Sequence, residues 1–254
     1  MEGLRLDGRT AVVTGGAGAI GAAIARDLAG LGAHVIVADR DLPGAEKVAA
    51  ELVVDLGGGT RMCLGRAAHL DLASPASIEQ FAAAHQPDVV VHNAGVSVVE
   101  PFVAGDPAKW DLMWQVNLRG PMLLTKLVLP RMTERGWGRL VYISSDGARA
   151  GSGGEGAYAA TKAGLFGLAK SLAREVARGG VTVNVVCPGP TDTPMLRQIS
   201  AEQPGLVDKL ARAIPMRRLG EPADVAGLVA YLCTHRAAYI TGQVLSVSGG
   251  VTMQ

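Results

Sequence analysis

The sequence predicts one α/β domain over residues 1–254, a doubly wound parallel sheet of about seven strands with helices on both faces. Three observations predict it. Short β-branched apolar runs recur along the chain, they are continuous rather than alternating, and amphipathic helical stretches separate them. A strand covered on both faces needs apolar side chains at every position, and a parallel neighbour needs a crossover, usually a helix. No internal repeat or composition shift marks a second domain.

The elements follow in order. Residues 11–13 form the first run and 35–37 the second, with a further strand expected within 63–70. Runs 89–91, 140–143, 181–186 and 244–247 complete the set. Ile20, Ile24, Leu28 and Leu31 recur at spacings of four, four and three, one apolar helix stripe; Leu165, Leu168, Leu172 and Val176 repeat the pattern. The glycine-rich stretches 57–59 and 151–154 are loops.

Composition narrows the function classes. Hydrophobic residues make up 48% and charged residues 19%, enough for a large core. A net charge of +1 without a basic block argues against nucleic acid as a partner. Cys63, Cys187 and Cys233 are odd in number and far apart, so they are expected as reduced core residues of a cytoplasmic protein, with no metal site. Neither a signal-type apolar region nor a run near the ~20 residues of a membrane span is present.

Two stretches carry chemistry. Residues 14–21, Thr-Gly-Gly-Ala-Gly-Ala-Ile-Gly, follow the first run and open the first helix. Unpaired N–H groups at a helix start attract phosphate, and glycines let the backbone approach it, so this turn suits a dinucleotide pyrophosphate. Asp39 ends the second run, where a carboxylate accepts from ribose hydroxyls and repels a 2′-phosphate. That favours NAD over NADP, although Arg40 beside it offers a phosphate partner. Downstream, Tyr158 and Lys162 are four apart on one helix face, and Ser145 follows the 140–143 run. A phenol titrates near 10; a neighbouring ammonium and an oxidised nicotinamide would need to lower it by roughly three units, about 4 kcal/mol, to make it a base at neutral pH. Ser145 can hold the substrate oxygen. Hydride carrier and proton handler together indicate a nicotinamide-dependent oxidoreductase acting on a small-molecule secondary alcohol.

These motifs resemble the short-chain dehydrogenase/reductase family over essentially the whole chain. Residues 14–21 resemble its T-G-x-x-x-G-x-G turn, with Ala19 in place of the middle glycine. His92, Asn93, Ala94 and Gly95 are similar to its N-N-A-G segment, with His92 replacing the first asparagine. The resemblance implies a Rossmann-type fold and a set of roles. Asn117, Ser145, Tyr158 and Lys162 become the catalytic residues, Asn117 supporting a proton-relay water. Gly15, Ala17, Gly18, Ile20, Gly21, Asp39, Arg40, Asn93, Ala94 and Gly95 become cofactor-binding, together with Tyr158 and Lys162. Asp71 and Leu72 correspond to the pair at the adenine, and Pro188, Gly189, Thr191 and Thr193 to the segment at the nicotinamide carboxamide.

The blocks 145–149, 185–193 and 242–250 resemble members of that family acting on alicyclic acyl-CoA thioesters such as 2-hydroxycyclohexanecarboxyl-CoA, close to its 3-oxoacyl reductases. Residues 190–218 correspond to the substrate lid, apolar through Met195, Leu196, Ile199, Leu206 and Leu210. Arg149 is a candidate for a substrate anion or, more simply, for a surface pair with Asp146. Relatives pack as homotetramers, and Trp110 and Trp114 would suit such an interface. A non-redox enzyme of the same fold, an epimerase or lyase, and a nucleotide sensor without catalysis are the alternatives; the intact four-residue set argues against the sensor.

Overall fold

A computed structural model describes residues 3–55, 61–201 and 205–253. The strands are β1 (Thr10–Thr14), β2 (His34–Asp39), β3 (Val53–Asp55), β4 (Arg61–Cys63), β5 (Gly65–His69), β6 (Val89–His92), β7 (Gly138–Ile143), β8 (Val181–Pro188) and β9 (Val244–Val247). Seven of them form a parallel sheet in the order β5-β2-β1-β6-β7-β8-β9. The 63–70 expectation needs correcting in one respect. The sheet strand there is β5, while Cys63 belongs to β4, which pairs antiparallel with β3 in a small separate hairpin. Cys63 is exposed, whereas Cys187 and Cys233 are buried and free. The glycine run 57–59 lies outside the described residues.

The helices are α1 (Ala19–Gly30), α2 (Leu42–Glu51), α3 (Pro75–Ala84), α4 (Pro107–Trp114), α5 (Gly120–Glu134), the short α6 (Gly147–Ala150), α7 (Gly156–Val176), α8 (Pro194–Ala201), α9 (Leu206–Ala213) and α10 (Pro222–Cys233). They sort onto two faces because strand side chains alternate. Val13, Val35, Val37 and Val91 meet Ile24 and Leu28 of α1 and Val225 and Val229 of α10. Val12, Ile36, Val90, Leu140 and Val183 face the other way, against Ile78, Leu124, Val128 and Leu165 of α3, α5 and α7. Each such side chain contributes about 1.5–3 kcal/mol when fully buried. Continuous valine runs thus serve two cores, which is why they carry no alternation.

Strand order reverses between β1 and β6. In an open parallel sheet the connections diverge at that point and leave a crevice at the carboxyl ends of the strands. The turns after β1, β6, β7 and β8 meet there. Among the described residues no helix is long and apolar enough to cross a membrane.

Candidate active site

The crevice is a cleft of about 660 Å³. The turn between β1 and α1 forms one wall. Gly15 has a φ of +63°, and a Cβ on it would lie 2.7 Å from Cα of Ala94. On Gly16 it would lie 2.6 Å from Cγ1 of Val37, and on Gly21 it would run into the carbonyl of Gly15. These three glycines therefore compress the turn against β2 and β6. Thr14 and Asn93 lock it. The Asn93 amide donates to the carbonyls of Thr14 and Gly15, both at 3.0 Å, and the Thr14 hydroxyl accepts from the N–H groups of Asn93 and Ala94 at 3.1 and 3.2 Å. Gly18 stands at the N-cap of α1 without any side-chain cap, so the first-turn N–H groups have no side-chain acceptor.

Beside this turn, Asp39 ends β2. One carboxylate oxygen accepts from Ala17 N at 3.1 Å and the other from Asp41 N at 3.0 Å. Gly15, Gly18, Ile20, Gly21, Asp39, Arg40, Asp71, Leu72, Asn93, Ala94 and Gly95 all line the cleft. Ala17 does not; it faces the aspartate that it orients.

At the far end lie Ser145, Tyr158, Lys162, Pro188, Gly189, Thr191 and Thr193. Sheet pairing explains their meeting: β7 and β8 end side by side, and the N–H of Asp146 donates to the carbonyl of Pro188 at 2.9 Å. Helix α7 runs back beneath them, tied by the Ser144 hydroxyl to the Lys162 carbonyl at 2.9 Å. The Thr191 hydroxyl donates to the Gly189 carbonyl at 2.9 Å, and the Thr193 hydroxyl accepts from Leu196 N at the start of α8. Thr14 and Ala19 of the glycine turn line the cleft as well, as do Val96 and Ser144, which the sequence did not single out.

Lys162 is buried, donates to the carbonyl of Ile143 at 2.9 Å, and keeps its Nζ 5.9 Å from the centre of the Tyr158 ring. Burial pulls its pKa down to about 8. Burial, helped by the nearby Glu155 and opposed by a hydrogen bond with Ser145, pushes the Tyr158 phenol up to about 12. The expected lowering of the phenol by the lysine is therefore not seen within the protein itself: desolvation disfavours the phenolate, and the ammonium is bonded to Ile143 O instead.

Asn117 lies behind the cleft wall rather than on it. It sits in a π-helical turn, Gln115–Arg119, between α4 and α5. Its amide oxygen accepts from Val96 N at 2.8 Å, and its Nδ2 donates to Val96 O at 2.9 Å and to Thr161 Oγ1 at 3.1 Å. It does not line the cleft; it backs Gly95, where a Cβ would meet Lys162 Nζ at 2.9 Å and Asn117 Oδ1 at 3.4 Å. A π-turn has no sequence signature, so only the structure reveals this bracing.

The expectation for Arg149 changes. Arg149 donates to Val244 O at 3.0 Å and to Ser246 Oγ at 3.1 Å, and Ser246 donates to Asp146 at 2.5 Å. Arg149 and Asp146 thus clip α6 to β9 through Ser246, with Asp146 buried rather than on the surface. His92 is a core residue, stacked on Tyr142 at 4.6 Å and bonded through Nε2 to Thr125 at 2.9 Å, but its Nδ1 has no partner. Burial pulls its pKa down to about 3, so it is neutral. In the lid segment, Thr191 bridges to Gly220 and Arg218 pairs with Asp224 at 2.6 Å. The side chains of Met195 and Ile199 lie outside the described residues; Leu196, Leu206 and Leu210 are half-buried.

A nicotinamide dinucleotide fits these residues. The wall contains a backbone cradle that a Cβ at Gly15 or Gly21 would fill, with a helix start behind it.

Comparison with known proteins agrees. A family model described as enoyl-(acyl carrier protein) reductase matches residues 15–252. The 3-oxoacyl-acyl-carrier-protein reductase FabG of Escherichia coli (strain K12) is 38% identical over 98% of this chain and 100% of its own length. The 2,3-dihydroxy-2,3-dihydro-p-cumate dehydrogenase of Pseudomonas putida is 37% identical over 98% of this chain and 96% of its own. Among solved structures, a proposed NAD(P)-dependent gluconate 5-dehydrogenase from Beutenbergia cavernae, with NADP bound at low occupancy, superposes with a TM-score of 0.87 at 35% identity, covering 98% of both chains. With a Rossmann-type sheet and matches of this extent, the chain belongs to the short-chain dehydrogenase/reductase family of oxidoreductases.

Proposed function

We propose that the protein interconverts a secondary alcohol and a ketone with NAD as its hydride carrier. The observation that carries this reading is that Ser145, Tyr158 and Lys162 share one cleft with the glycine turn. The first-turn N–H groups of α1 would hold the pyrophosphate, and Asp39, preset by Ala17 and Asp41, the adenosine ribose. Arg40, Asp71 and Leu72 also line the cleft; Arg40 would flank the ribose, and Asp71 and Leu72 would meet the adenine. Pro188, Gly189, Thr191 and Thr193 would hold the carboxamide. When bound, the dinucleotide supplies a hydride acceptor or donor and, when oxidised, a positive charge.

The chain's own residues handle the proton. Tyr158 gives it to, or takes it from, the reacting oxygen, which the Ser145 hydroxyl orients. Lys162, turned from Ile143 toward the ribose, stabilises the phenolate, and Asn117 fixes the Val96 and Thr161 surroundings through which the proton leaves. Because the protein alone leaves Tyr158 near 12, its activation rests on charge brought with the cofactor as well as on Lys162.

Asp39 supports NAD over NADP, since its carboxylate would face a 2′-phosphate. The relatives act, by their names, on 3-oxoacyl groups and on a cyclic diol, which supports a cyclic or acyl-thioester hydroxy substrate. A homotetramer in the cytoplasm completes the reading. Initial rates on secondary alcohols and acyl-CoA thioesters, each with NAD and with NADP, test it. Turnover that prefers NAD is expected; conversion of substrate without any change in added dinucleotide would favour the epimerase alternative.

A further inference from the structure

Ser145 presents its hydroxyl to the reacting groups, and a second set of residues decides how. Its Oγ accepts from the N–H of Gly147 at 3.1 Å. A hydroxyl has one proton and two acceptor lone pairs, so accepting from Gly147 leaves the proton to be donated outward, toward Tyr158 or a reacting oxygen. Gly147 opens α6, a helix of four residues that buries no side chain of its own. One turn of helix does not hold itself in water. What fixes the Gly147 N–H must come from outside that turn.

Three side chains supply it. Arg149 is half-buried and donates to Val244 O at 3.0 Å and to Ser246 Oγ at 3.1 Å, both on β9. Ser246 donates in turn to Asp146 Oδ1 at 2.5 Å. In the sheet register Ser246 lies beside Cys187, so the clip reaches across the end of β8. Asp146 is only 4% exposed, and its Oδ2 has no hydrogen-bond partner among the described residues. A carboxylate oxygen buried without a donor costs stability, and apolar side chains could tie α6 to β9 without that cost. The polar clip therefore points to a use other than stability.

We propose, resting on the alcohol–ketone reading above, that Asp146, Arg149 and Ser246 are positioning residues for the reaction. They hold α6 against β9 so that the Gly147 N–H meets the Ser145 oxygen and the serine proton points at the reacting oxygen. None of the three lines the cleft. They act through Ser145 alone, and the edge strand β9 thereby becomes part of the catalytic frame. Losing the clip frees the serine hydroxyl to turn, which slows the chemical step and leaves the glycine turn and Asp39 untouched.

The test uses the member of a panel of secondary alcohols and acyl-CoA thioesters that the wild type oxidises fastest with NAD. Ser246→Ala removes the hydroxyl that joins Asp146 to Arg149. It is expected to lower kcat per bound dinucleotide by roughly 10–100-fold, the cost of a misplaced reacting group, with the NADH dissociation constant changed only a few-fold. Ser246→Thr, which keeps the hydroxyl, should recover most of the rate, and Arg149→Ala should repeat the loss from the other end of the clip. In a Ser145→Ala background, followed by single turnover, Ser246→Ala should cost nothing further, because the residue it acts through is gone. If Ser145→Ala shows no turnover, recovery by Ser246→Thr decides. Wild-type kcat per bound dinucleotide in both alanine variants, no recovery with threonine, or a full further loss in the Ser145→Ala background overturns the positioning role alone. A wild type that oxidises no member of the panel with either dinucleotide overturns the positioning role and the alcohol–ketone reading together.

Discussion

Tyr158 and Lys162 are driven toward their neutral forms by the same burial, the phenol up to about 12 and the ammonium down to about 8. A pocket that desolvates both makes the pair sensitive to each further charge. Facing Tyr158 are Lys162 on its own helix, Ser145 from the β7 turn, Cys187 from β8 with its thiol pushed up to about 11, and Glu155. Glu155 is the carboxylate of this group, and a carboxylate raises a neighbouring phenol. Glu155→Gln is therefore expected to move the rising limb of the oxidation pH profile to lower pH; a limb that stays put or moves upward would show that Glu155 does not act on the phenol. At this scale the sequence was only partly legible. Spacing placed Tyr158 and Lys162 on one face, but the lysine's bond to Ile143 O depends on the β7 end meeting α7, and no spacing rule reports that.

The β1–α1 turn is the element on which cofactor binding depends. A Cβ at Gly21 would overlap the Gly15 carbonyl and lie 2.8 Å from Asn93 Nδ2. Gly21→Ala should cost about 1–3 kcal/mol of stability by overpacking and weaken dinucleotide binding, read by thermal unfolding and by titration. Asn93→Ala removes two part-buried bonds to the turn and should cost a similar amount, about 1–3 kcal/mol. Asp39→Asn retains an acceptor for Ala17 N but removes the charge. It should shift the NADP/NAD ratio of kcat/KM toward NADP by roughly tenfold, the worth of one charge-assisted bond. An unchanged ratio would show that the ribose lies elsewhere. The turn itself was legible because its glycines sit between a strand and a helix stripe. The π-helical turn holding Asn117 was not, since it has no sequence signature, and the β3–β4 pair was missed although the glycines 57–59 separate its two strands.

Over the whole molecule, the sheet was the easiest feature to read. Valines at consecutive positions, such as Val12 and Val13, serve opposite cores, and that demand is written directly in the sequence. Assembly is not written there in the same way. Met122 and Leu127 of α5 and Trp114 of α4 remain exposed, and a groove between α5 and α7 is lined by Met122, Leu123, Leu129, Leu168 and Leu172. Trp110 instead stacks on Phe102 at 5.0 Å. If this face is covered in a homotetramer, light scattering of the purified protein should give four chains, and Leu123→Glu with Leu172→Glu should reduce the mass; a monomeric wild type would contradict it.

The central claim concerns the hydroxyl of Tyr158 in the dinucleotide cleft. The most direct measurement is kcat for alcohol oxidation together with the NADH dissociation constant, on wild type and Tyr158→Phe from matched preparations. Loss of a general acid–base group predicts a fall in kcat of roughly 10²–10⁴-fold, with NADH binding changed only a few-fold. Wild-type turnover in the phenylalanine variant would contradict the account.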